Sequence, residues 1–138
     1  MKHWIAVISL AHAQIAAKSN FLQVCHGKKA PLRATNAGDE VFIYCPKREI
    51  CVSQSLKLIA FRGIFDDNHI YQVEQAPGFK PFRKDVTFDR DFQPIGIKDI
   101  VGLELTSCPN WGMLARRGFF EISPHDAHLF RTREGMLL

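Results

Sequence analysis

A succession of short β-type segments, separated by turn residues, is what most narrows the fold of this chain. Residues 40–45 read Glu-Val-Phe-Ile-Tyr-Cys, apolar at both parities, which predicts a strand buried on both faces and ended by Pro46. Leu56 to Phe65 is another near-continuous apolar run. Asp66, Asp67 and Asn68 supply hairpin-turn chemistry, and residues 69–74 are expected to return as a strand. Further on, Phe82, Val86 and Phe88 alternate with Arg83, Asp85 and Thr87, the pattern of a strand with one wet face. Apolar runs at 3–9, 21–25 and 119–122 extend the set. The helical signals are brief by comparison. Residues 10–18 suit a short helix, Pro31 opens a helical turn to about Thr35, and Pro94 could start another through Ile97 and Ile100. Ser123, Pro124 and Asp126 stand at the N-cap, N1 and N3 positions of a last helix, expected to run to about Glu134 before Gly135 stops it. The expected class is α+β, a small mixed β-barrel of five to six strands with helices covering its open ends.

The chain has 138 residues, 46% of them apolar and 23% charged, which excludes disorder as the main state. With no repeat, low-complexity tract or linker, residues 1–138 read as one domain. No run approaches the ~18–20 apolar residues of a membrane-spanning helix, so no membrane partner is expected. Lysine and arginine total 18 against 14 acidic residues, a net charge of +4. That balance suits a polyanion, because each phosphate contact releases a counterion, although a solvated basic surface has the same composition. Cys25, Cys45, Cys51 and Cys108 lack the close pairing of zinc knuckles and fit buried thiols in a reducing, cytoplasmic setting. Neither a metal nor a cofactor is expected. The first residues read two ways: a basic start, an apolar run and Ala11-His12-Ala13 resemble a secretory signal, and the same stretch suits a buried strand followed by a helix.

Chemistry concentrates in a few places. The densest polar stretch is His26-Gly27-Lys28-Lys29-Ala30-Pro31-Leu32-Arg33, where a glycine turn and three fixed charges could hold phosphate. The remaining features of a Walker loop are absent. Lys80, Arg83 and Lys84 interleave with Phe79 and Phe82, and Arg116 and Arg117 lie beside Trp111 and Phe119. Aromatic faces next to cations suit base stacking and backbone tracking, while the alternation places Phe82 inside. Trp4, Tyr44 and Trp111 are candidates to wall a slot for a flat ring, with Gln23 and Ser9 reading its edge. Catalysis finds less support. Cys25 and His26 would point to opposite faces of a strand, and no triad order or nucleotide loop stands out. The enzyme alternative is Cys25 as nucleophile or His26 as acid/base, which requires an exposed, readily ionised thiol near a histidine.

Several segments occur in the order seen in EVE-domain proteins. They are Trp4-Ile5, Phe21-Leu-Gln-Val-Cys-His-Gly-Lys-Lys-Ala-Pro-Leu32, Gly38-Asp39, Phe42-Ile-Tyr-Cys-Pro-Lys47, Tyr71-Gln-Val-Glu74, Phe79-Lys-Pro-Phe-Arg83, Trp111-Gly112 and Arg116-Arg-Gly-Phe-Phe-Glu-Ile-Ser123. The chain therefore resembles that family from about residue 3 to 130, departing at Cys45, where a serine is usual. The resemblance favours the strand reading of the first residues. It implies a PUA-like fold related to YTH domains, with a non-enzymatic role as a reader of modified bases in RNA or DNA. Restriction or RNA-modification proteins are the partners it suggests. By analogy with related readers, Ser9, His12, Phe21, Gln23 and His26 would surround the base, with Tyr44 and Trp111 as walls. Lys28, Lys29, Arg83 and Arg116 would then hold phosphates.

Overall fold

A computed structural model describes residues 1–49 and 55–133. Its strands are β1 (His3–Val7), β2 (Phe21–Leu22), β3 (Glu40–Lys47), β4 (Ser55–Phe65), β5 (Tyr71–Gln72), β6 (Phe82–Phe88), β7 (Ile95–Gly96) and β8 (Phe119–Ile122). The helices are α1 (Leu10–Ser19), α2 (Ala30–Arg33), α3 (Glu104–Ser107), α4 (Trp111–Arg117) and α5 (Pro124–Thr132). The sheet runs β2-β6-β4-β3-β1-β8, with β5 on β6 and β7 on β4. Among the described residues only β1 and β3 pair in parallel, with Val7 opposite Tyr44. Twice along the β3–β4 ladder the register shifts, first at Ile43/Tyr44 and again between Cys45 and Lys47. Extra residues of this kind bend a strand, and here they curl the sheet into a half-barrel. Lys57, at the second shift, takes φ +55°.

The period-two pattern divides the core between the two faces. Trp4, Ala6, Val41, Ile43, Val86 and Phe88 pack on one side beneath α1 and α2. Ile5, Phe42, Tyr44, Phe120 and Phe130 pack on the other, beneath α3 to α5. Helix α1 can lie close because the residues it buries are Ala13, Ala16 and Ala17. Polar clamps tie the layers together. The Glu40 carboxylate, 1% exposed, receives Arg62 Nε at 2.6 Å and Arg131 Nε at 2.8 Å, and lies 2.8 Å from His3 Nδ1. Asp39 accepts from the Trp4 indole and from the backbone N–H groups of Lys2 and Asn36, each at 3.0 Å.

Several expectations need revision. The described residues form eight strands rather than five or six; the two-residue pieces β2 and β5 are shortened forms of the runs expected at 21–25 and 69–74, and β7 was not expected as a strand. Residues 21–25 are a strand only to Leu22, because Cys25, His26 and Gly27 all take positive φ. The ambiguous stretch after Pro94 becomes β7 and one 3-10 turn at Ile97–Asp99. The last helix ends at Thr132 with Arg133 left-handed, while Glu134 and Gly135 fall outside the described residues, as does Cys51. Its N-terminus is capped as expected, Ser123 Oγ accepting from Asp126 N–H at 3.1 Å. Lys84 leaves the proposed basic patch. It shares parity with Phe82 and Val86, is 1% exposed, and donates to the Thr35 hydroxyl at 2.8 Å and carbonyl at 3.1 Å.

Candidate functional site

The C-terminal ends of parallel β1 and β3 open onto a cleft of about 580 Å³. Two backbone bonds fix this edge, Ile8 N–H to Tyr44 O at 3.0 Å and Ala11 N–H to Arg48 O at 2.9 Å. Ser9 is the N-cap of α1, yet its hydroxyl makes no capping bond, and it lines the cleft with His12 one turn later. The wall opposite is the turn that carries Gln23, Cys25, His26 and Lys28. Three successive left-handed residues, Cys25 (φ +50°), His26 (+59°) and Gly27 (+84°), reverse the chain there. That geometry strains any residue with a Cβ, so its presence marks a site that the surrounding structure holds in place. The glycine packs against Pro81, and Gln75 and Phe79 continue the rim. The end of α4 closes the last side with Arg116, Arg117 and Gly118.

Electrostatically, the rim is basic. Lys28, Lys47, Arg116 and Arg117 are all exposed along it, with Glu49 as the acidic exception. Inside, the groups are neutral. Burial and then the Arg83 charge push His12 below its usual pKa, which leaves the imidazole uncharged at neutral pH. Burial pushes the Cys25 thiol up, with Lys28 opposing, and its Sγ donates to Arg117 O at 3.2 Å. A thiol held as a donor is the reverse of what nucleophilic attack requires.

The cleft thus gathers Ser9, His12, Gln23, His26, Lys28 and Arg116 of the residues singled out by sequence. The others lie elsewhere. Tyr44 is buried in the opposite core, 5.4 Å from Trp111 by ring centroid, so neither is a wall of this cleft. Trp4 stacks on Phe119 at 5.0 Å and is likewise structural. Phe21 is buried beneath the Arg83 guanidinium, 3.9 Å away, and neither lines the cleft. Lys29 turns to the Phe82 ring at 5.4 Å. Sequence reasoning left Lys47, Glu49 and Gln75 without a role. For Lys47 the signal was its place beside Pro46 at a strand end, but only parallel pairing with β1 brings it to Ser9. No group of three histidine, cysteine or acidic side chains suited to a metal occurs among the described residues. Nor is any helix among them long and apolar enough to cross a membrane.

A curled mixed sheet with flanking helices carries a basic-rimmed cleft at one strand edge, the architecture that the family resemblance implies. The EVE domain profile matches residues 2–132, and the chain belongs to the EVE-domain family. A UPF0310 protein of Streptococcus mutans is 37% identical over 126 residues, covering 89% of each chain. The UPF0310 protein YdcG of Bacillus subtilis is 37% identical over 129 residues, covering 90% of this chain and 86% of its own. Among solved structures, a Pseudomonas putida protein superposes with a TM-score of 0.58 at 16% identity, covering 94% of this chain and 97% of its own. Human THYN1, solved in complex with 5-methylcytosine-containing DNA, superposes with a TM-score of 0.51 at 13% identity, covering 97% and 98%.

Proposed function

We propose that this chain binds nucleic acid without chemistry, taking one unstacked base, carrying a modification, into the cleft between β1 and the Cys25–Gly27 turn. The observation that carries the reading is a cleft where Ser9, His12 and Gln23 stand among apolar lining residues, ringed by Lys28, Lys47, Arg116 and Arg117. Cations at a rim hold phosphates and set register, while uncharged hydrogen-bonding groups inside read a base edge. At about 580 Å³ the cleft falls in the usual range for a small-ligand pocket. The methylcytosine DNA bound by human THYN1, a distant relative in fold, lends support to both the polymer and the modified base. The donor role of the Cys25 thiol argues against the enzyme alternative.

Fluorescence anisotropy with labelled oligonucleotides, single- and double-stranded, in DNA and RNA, each carrying a plain or a modified central base, tests the proposal. Binding should depend on salt and should favour one modified base. Equal affinity for every oligonucleotide, or no binding at the lowest salt, would overturn it.

A further inference from the structure

Arg83 carries charge, yet its charge is turned inward. Its guanidinium carbon lies 3.9 Å over the Phe21 centroid. Nε donates to Gln23 Oε1 at 3.0 Å, and Nη2 donates to Gln75 Oε1 at 3.0 Å. A guanidinium has five donors and no acceptor, so any amide it binds must offer its oxygen. Gln23 is 6% exposed and lines the cleft, and none of the described groups is hydrogen-bonded to its amide nitrogen. Gln75, on the same cleft, is held with the same polarity. Both amides therefore spend their acceptors on Arg83 and keep their donors.

We propose that Arg83 is a positioning residue that fixes Gln23 as a one-way hydrogen-bond donor, so that the cleft selects a base edge offering an acceptor there, a carbonyl oxygen or an unprotonated ring nitrogen. Free amides read either polarity by flipping; a locked one rejects an N–H at that position, because two donors then face each other in a dry site. The inference rests on the nucleic-acid reading for its ligand, and on the Arg83–Gln23–Phe21 geometry alone for the lock.

The test uses the full chain with Arg83→Met, which keeps a stem on Phe21, and Arg83→Lys, which keeps the charge without the planar fork. Probes are labelled single-stranded nonamers with a central cytosine or 5-methylcytosine, whose ring N3 is an acceptor, or a central thymine, whose N3 carries a proton. Both variants should lose roughly tenfold in discrimination among the nonamers. The slope of log affinity against log salt should hold in both, since the Arg83 guanidinium is engaged with Gln23, Gln75 and Phe21. NMR of the Gln23 side-chain amide should show a rigid group in the unaltered protein and a mobile one in both variants. A slope reduced by about 0.7 in Arg83→Met would make Arg83 a phosphate contact and overturn the inference. Retained discrimination, or a Gln23 amide equally rigid without the guanidinium, would overturn it too. If the unaltered protein binds the nonamers equally or not at all, the functional reading suffers, and the amide signal alone decides the lock.

Discussion

At Gly27 two demands coincide. Its φ of +84° lies in the left-handed region, and a Cβ there would meet the Pro81 ring and sit 2.8 Å from Pro81 Cα. Left-handed strain and overpacking each cost about 1–3 kcal/mol, so Gly27→Ala should destabilise the fold by about 3 kcal/mol. Urea unfolding measures this, and a midpoint within error of the unaltered protein would mean that the two loops part freely. Beside it, Cys25 tests the chemistry of the same turn. Burial raises its pKa and its proton is committed to Arg117 O, so the folded protein should resist iodoacetamide at Cys25 through pH 8. Peptide mass spectrometry should show slower labelling than in urea, because a raised pKa leaves fewer thiolates and the thiol is half-buried. Fast labelling in the folded state would revive the nucleophile. The sequence made Gly27 legible as a turn. It hid the left-handed Cys25 and His26, because that conformation is uncommon at any residue with a Cβ and the apolar run from Phe21 reads as a continuing strand.

Between elements, the decisive contacts are the buried carboxylates of Asp39 and Glu40, which join β1, β3, β4 and α5. Burial alone would raise the pKa of Glu40, but hydrogen bonds from Arg131, Arg62 and His3 outweigh it and hold the group below 4.5. Asp39 is held below 3.8 in the same way, burial being outweighed by Lys2, Trp4 and Asn36. A folded-state pKa below the unfolded value stabilises above the unfolded pKa, and the benefit disappears as pH falls through the folded pKa. Stability should therefore drop on acidification below about pH 4.5, the unfolded value for glutamate. Glu40→Gln should cost about 3 kcal/mol at pH 7, by removing the charge that Arg131 and Arg62 share and leaving, among the described residues, only Asp89, 3.8 Å from Arg62, opposite them, and should flatten that acid slope. Chemical denaturation across a pH series checks both, and an unchanged slope in the variant would remove Glu40 from the account. Such a clamp was invisible in the sequence, since Arg131 lies 91 residues from Glu40 and no local pattern pairs them. What was legible was alternation: β6 spans residues 82–88 as read, and Phe119–Ile122 matches the expected strand. The same alternation, followed without exception for polar residues, also puts Lys84 in the core, where it stands at 1% exposure.

Across the whole molecule, the question is whether the net charge of +4 acts as a diffuse field or through placement. The basic clusters were legible along the chain, but which of their members meet was not, because the parallel β1–β3 pair and the α4 terminus bring distant segments to one edge. Parity likewise could not say which face of β3 borders the cleft, and so Tyr44 was assigned to it while its side chain lies in the opposite core. The structure separates cations of equal charge into two sets. Lys28, Lys47, Arg116 and Arg117 line the cleft, whereas Lys29 sits over Phe82 and Arg33 closes α2, both outside the lining. A single strand engaging all four rim cations should bind with a log–log salt slope near −3, from about 0.7 per phosphate contact. Lys47→Ala with Arg117→Ala should reduce the magnitude of the slope by about 1.4 and leave base preference intact, because phosphate contacts carry no sequence information. Lys29→Ala with Arg33→Ala removes the same charge and should leave the slope where it was. Anisotropy titrations across a salt series compare the two pairs directly. Equal losses from both would show that affinity follows net charge alone, and the cleft would then lose its claim as the place where nucleic acid is held.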